Sequence, residues 1–154
     1  MALDALVTRA VGKARPVLEG SGHAVTLRLS DAEVPVLADA LRIEQVLDNL
    51  LENAARYSAP DAAVEISLLA EEGHAILSVT DRGDGIPAAE LERVFEPFYR
   101  GSNATRSGIR GAGLGLAICR GIVEAHDGKI WAENGHDHTT TFVLTLPLTR
   151  GQTA

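Results

Sequence analysis

The sequence predicts an α+β domain, on three observations. Two stretches, LDALVTRAVGKARPVL and ALRIEQVLDNLLENAARYS, repeat apolar residues at helical spacing, and a third helical run follows Gly111. Several short segments alternate apolar and polar residues at the period of a strand, with turn residues between them. The 154 residues, 45% of them hydrophobic, suffice for one globular domain with its own core, 1–154, whereas two would be cramped.

In chain order, Leu3, Leu6, Val7, Ala10, Val11 and Ala14 line one face of a first helix, with Gly20 to Gly22 as its stop. HAVTLRLS places Val25, Leu27 and Leu29 on one face of a strand, and VPVLAD reads as a second short strand whose Pro35 suggests an edge; the two are expected to pair as a hairpin. Asp39 can cap a strongly amphipathic helix carrying Leu41, Val46, Leu47, Leu50 and Leu51, ended by Ser58-Ala59-Pro60. AVEISLLAEEGHAILSVTDRGDG reads as two strands around Glu71-Glu72-Gly73, running into a turn at Gly83 and Gly85. Pro97 to Gly113 lacks periodicity and is rich in Gly, Ser and Arg, the composition of a long mobile loop, which in a compact domain is more often functional than idle. KIWAEN and TTTFVLTLPL then form a closing hairpin.

Composition narrows the function classes. A net charge of −7 and a pI near 5.2 argue against broad electrostatic binding to nucleic acid. Cys119 is the only cysteine, so no intrachain disulfide or cysteine-based metal cluster is available. No apolar run reaches the roughly 20 residues of a bilayer span, and the N-terminus lacks a signal-peptide pattern. The expectation is a soluble cytoplasmic domain with no membrane contact of its own, in a parent protein that can itself be anchored.

Three segments carry chemistry. In GAGLGLA, Gly111, Gly113 and Gly115 alternate at a helix start. A dinucleotide fingerprint would need glycine where Leu116 stands, and a P-loop would need a Lys-Ser/Thr that is absent. Bare amides feeding a helix N-terminus favour an anion, phosphate first, although tight turning or close packing would also use these glycines. In NLLENAARY, Asn49 and Asn53 share a helix face with Arg56 and Tyr57. An amide oxygen suits Mg2+, a guanidinium a phosphate and a phenol a base; a solvated polar face is the alternative. In DRGDG, Asp81 can accept from an exocyclic amine such as adenine's while Gly83 and Gly85 let the backbone approach a flat ligand; an ordinary turn is the alternative.

Taken in order and spacing, NLLENAARY, DRGDG, FEPFYR at Phe95 to Arg100, and GAGLGLA resemble the N, first glycine, F and second glycine boxes of the catalytic and ATP-binding domain of sensor histidine kinases. Those kinases share a superfamily, the Bergerat-fold or GHKL proteins, with gyrase, Hsp90 and MutL. The resemblance spans nearly the whole chain and implies a two-layer sandwich, a mixed, mostly antiparallel sheet packed on about three helices. Carried over, it implies that Asn53 ligates Mg2+ with Asn49 in support, that Asp81 recognises the adenine amine in a pocket shaped by Gly83 and Gly85, and that Tyr57 borders the base. Arg56 stands at the family's usual lysine position near the phosphates. Gly111, Gly113, Leu114 and Gly115 would offer amides to the phosphates of ATP. The loop at about 97–113 would be the ATP lid, with Arg106 and Arg110 as its candidate cations and Phe95 and Phe98 as its anchors.

The chain departs from the family in two places. Its closing turn reads GHDHTTTF where the family carries glycine before Thr-Thr-Phe, so a contact from Thr141 is not carried over, and His136 and His138 read as an exposed turn rather than a metal site. Nothing resembles the family's phosphoacceptor motif H-E-x-R-T-P. The implied partners are therefore the phosphoacceptor histidine domain of a parent kinase and a response regulator downstream. The superfamily's ATPases keep a water-activating glutamate where this chain has Asn49, which favours phosphoryl transfer over hydrolysis. A serine kinase of the anti-sigma type, an ATPase and a non-catalytic nucleotide-binding module are the alternatives.

Overall fold

A computed structural model describes residues 1–97, 115–136 and 138–149. Helix α1 (Leu3–Gly20) is followed by β1 (Val25–Leu29), helix α2 (Ala40–Tyr57), β2 (Val64–Glu71) and β3 (His74–Arg82). Two short 3-10 turns, Ala88–Glu90 and Arg93–Phe95, precede helix α3 (Gly115–Ala125), β4 (Lys129–Asn134) and β5 (Thr139–Pro147). The strands form one sheet in the order β1-β2-β3-β5-β4, in which β1 and β2 are parallel and every other pair is antiparallel.

The helices form on apolar spacing, and in α2 a side-chain cap agrees with it. Asp39 accepts from the backbone N–H groups of Leu41 and Arg42 at 3.1 and 3.3 Å and so caps α2. The helix then buries Ile43, Val46, Leu47, Leu50, Leu51 and Ala54. Leu41, expected on that face, is 81% exposed, because Ile43 two residues on takes the inward position and a two-residue step turns about 200° around the axis. Helix α1 buries Leu3, Leu6, Val7, Ala10, Val11 and Leu18, and lies against α2 with Arg9 and Lys13 paired to Glu44 at 2.8 and 2.9 Å. The sheet's inner face supplies Val64, Ile66, Leu68, Ala75, Leu77, Val79, Leu144 and Leu146 to the same core. Each large side chain so buried contributes roughly 1.5–3 kcal/mol.

The expected hairpin between HAVTLRLS and VPVLAD does not form. β1 pairs instead with β2, in register Val25 with Val64, and α2 makes the crossover that a parallel pair requires. Pro35 and Val36 make only isolated bridges, to Ala2 and Leu148. Proline cannot donate to a ladder, and the segment's other groups are taken by the N-terminus: Leu3 N–H donates to Val34 O and Val36 N–H to Met1 O. Val34 and Val36 are buried, closing the core on the side of the N-terminus.

Candidate functional site

Among the described residues, the DRGDG turn and Gly115 at the start of α3, far apart in sequence, both meet the C-terminal half of α2. Its last residues abut the DRGDG turn: Ala59 N–H donates to Arg82 O at 2.6 Å, and Ser58 bridges Gly83. The approach is so close that a Cβ on Gly83 would collide with the Tyr57 carbonyl oxygen, so only glycine fits. About two turns earlier on the same helix, Asn49 lies against α3, where a Cβ on Gly115 would stand 3.6 Å from Asn49 Oδ1. Helix α2 thus carries the amide stripe and lies against both Gly83 and Gly115.

Asp81 ends the buried run of β3, opposite Thr140 of β5, and is 6% exposed. Burial pushes its carboxyl up to about 7, opposed by the charge of His23. His23 is itself buried, its Nδ1 2.9 Å from Ala62 O. In sequence it looks isolated; the fold brings it into the electrostatic range of Asp81. Gly85 has φ +76, left-handed backbone that disfavours a side chain, and sits next to the Asn134 amide and the Thr140 hydroxyl. Asn134 holds this turn by accepting from Ile86 N–H at 3.2 Å and donating back to Ile86 O.

Alternation along β5 decides which threonine faces the site. Thr141, the position considered from sequence, points to the outer face, where its hydroxyl meets that of Thr80 at 2.9 Å. Thr140 points inward, 4% exposed, with its hydroxyl 3.5 Å from Asn134 Oδ1. Thr140 and Asn134, beside Asp81 and the DRGDG turn, are candidate site residues that sequence reasoning missed. The strand period, anchored on the buried Phe142, was the signal for Thr140; no local pattern announces Asn134.

Asn49 and Asn53 are half-buried, whereas Arg56 and Tyr57 are exposed. Arg56 lies 4.0 Å from Glu52, an exposed i,i+4 pair contributing little. Cys119 is fully buried, its Sγ 3.8 Å from Val46 O, and burial pushes its thiol up to about 11, so it is an inert packing residue. Phe95 is 2% exposed and meets Phe142 edge-on at 6.1 Å. His136 and His138 are exposed, and the backbone oxygen of His138 accepts from Gly83 N–H at 3.0 Å. Phe98, Arg100, Arg106, Arg110, Gly111, Gly113 and Leu114, and with them the expected lid, lie outside the described residues, as does Asp137. Among the described residues no helix is long and apolar enough to cross a membrane.

Comparison with known proteins shows the family. The chain is 42% identical over 121 residues to the sensor histidine kinase WalK of Bacillus subtilis, covering 77% of this chain and 20% of that protein. It is 38% identical over 138 residues to the sensor protein KdpD of Escherichia coli, covering 89% of this chain and 15% of that one. The chain therefore spans about a fifth or less of the length of these relatives. Among solved structures, the mycobacterial sensor histidine kinase MprB superimposes with a TM-score of 0.84 at 28% identity, over 96% of this chain and 97% of that one. Histidine kinase ThkA in complex with response regulator protein TrrA gives 0.82 at 27% identity, over 99% of this chain and 42% of that one. A family model described as histidine kinase-, DNA gyrase B- and HSP90-like ATPase matches residues 38–150. The chain belongs to that family, as a catalytic domain of the sensor histidine kinase type.

Proposed function

We propose that residues 1–154 form one catalytic domain that binds Mg-ATP and supplies its γ-phosphoryl group to a histidine on a separate dimerisation domain. The observation that carries this is the convergence on α2: Tyr57 against Gly83 at one end of the stripe, and Asn49 against Gly115 at the other. A base at DRGDG and phosphates at the start of α3 would both border the same helical stripe.

Phosphoryl transfer asks mainly for positioning and charge neutralisation. Asp81 accepts from the adenine amine, Gly83 and Gly85 let the backbone approach the base, and Tyr57 borders it. Arg56 offsets phosphate charge, with the amides of Gly111, Gly113, Leu114 and Gly115 and with Arg106 and Arg110 of the lid at about 97–113. An ion carried in by phosphates would be met here by amide oxygens, which suit Mg2+. Asn53, supported by Asn49, would hold Mg2+, which supplies charge neutralisation across the phosphates. Asn49 cannot take a proton from water, and Glu52 is exposed toward solvent beside Arg56, so hydrolysis is disfavoured. The acceptor histidine comes from another domain of the parent kinase, and its phosphoryl group passes to a response regulator, as the ThkA–TrrA complex suggests by analogy.

Calorimetry tests the binding half. ATP and ADP bind and GTP binds much more weakly, because Asp81 would face the carbonyl oxygen of guanine. Equal ATP and GTP affinity would remove Asp81 from base recognition.

A further inference from the structure

Arg120, on α3, has no part in the assignments above, yet it sits at a junction. Its guanidinium carbon lies 4.5 Å from the centroid of the Phe95 ring, and its Nη2 lies 3.4 Å from Glu92 Oε2. Phe95 is 2% exposed and meets Phe142 edge-on, with centroids 6.1 Å apart and planes at 79°. Phe142 faces the core from β5, two residues beyond Thr140, which pairs with Asp81. At the other end, Arg120 is five residues along α3 from Gly115, which lies against Asn49. β5 thus links Thr140, the partner of Asp81, to Phe142, and ring contacts continue through Phe95 to Arg120 on α3.

We propose that Arg120 is a positioning residue for the nucleotide, setting the distance between the base-binding end of the sheet and the phosphate-binding start of α3. The inference rests on the ATP reading above. A helix with a free rotation or a shift of 1 Å at its first turn cannot present its amides to phosphates whose base is fixed elsewhere. The planar guanidinium suits the task because it stacks on a ring face and still bonds sideways; an ammonium keeps the charge and loses the plane. The ion pair contributes little by itself, since the Glu92 side chain is 86% exposed.

The test titrates ATP, ADP and adenosine into the 154-residue chain and into Arg120→Ala, Arg120→Lys and Glu92→Gln, with thermal melting of each. The expected result is that Arg120→Ala loses about tenfold in ATP affinity while adenosine affinity stays within about twofold. Arg120→Lys, which is more conservative in folding, recovers part of the loss, and Glu92→Gln matches the parent. ATP affinity unchanged in both Arg120 variants overturns the inference and leaves the ATP reading standing. So does an equal loss for ATP and adenosine, which would mark Arg120 as merely structural. A parent chain that binds no ATP would overturn the reading beneath and this inference with it.

Discussion

Asp81→Asn removes a charge that burial penalises while keeping the shape of the side chain, so its effect on stability has a sign and a size. The residue is 6% exposed and its carboxyl is pushed up to about 7 from an ordinary 3.8, mainly by desolvation, with the charge of His23 opposing. Because the folded state holds this proton more tightly than the unfolded chain, the wild type is most stable below the unfolded value. It loses stability as pH rises toward about 7. The whole window corresponds to ~4 kcal/mol, and the part between pH 5 and pH 8 to about 2–3 kcal/mol. Asparagine does not titrate, and whatever its buried amide costs, about 1–3 kcal/mol if unpaired, is the same at both pH values. Urea denaturation of the two proteins at pH 5 and pH 8 reads the difference directly. The variant should gain on the wild type by about 2–3 kcal/mol on going from pH 5 to pH 8, while its ATP affinity falls. A stability difference that does not change with pH would refute the reasoning.

Two further outcomes concern the DRGDG turn and the ionisation of Asp81. Gly83→Ala should destabilise the domain by ~1–3 kcal/mol and weaken ATP binding, since its Cβ meets the Tyr57 carbonyl oxygen, whereas Gly121→Ala, with open space around it, should do neither; melting and titration of both variants check this. Adenosine, which has no ionisable phosphate, should bind up to about tenfold more tightly at pH 8 than at pH 6 as Asp81 ionises, and calorimetry showing no pH dependence would count against the carboxylate as acceptor.

The parts of the fold that sequence makes legible are those where local signals agree. In α2 the Asp39 cap, the apolar stripe and the Ser58-Ala59-Pro60 stop all mark one helix, which ends at Tyr57. The β2–β3 and β4–β5 hairpins follow from alternation between turn residues. The pairing of β1 was not legible, because Val25 and Val36 carry similar alternation and only tertiary closure decides that one joins β2 while the other bonds to the chain ends. Leu41 misleads because an apolar residue in a first turn can face either way. In the site, Asn49, Asp81 and Gly83 stand in patterned boxes, so their places could be anticipated. His23 and Asn134 could not be, since what they do depends on neighbours 58 and 48 positions away, Asp81 and Ile86.

The most direct test of the central claim is phosphoryl transfer from radiolabelled ATP, with the chain alone and with a fragment carrying the acceptor helix of its parent kinase. The chain alone should neither label itself nor turn over much ATP. With the fragment, labelling should be Mg2+-dependent and acid-labile, as phosphohistidine is, and Asn53→Ala should abolish it. Fast ATP hydrolysis by the chain alone, or acid-stable label on a partner serine, would contradict it.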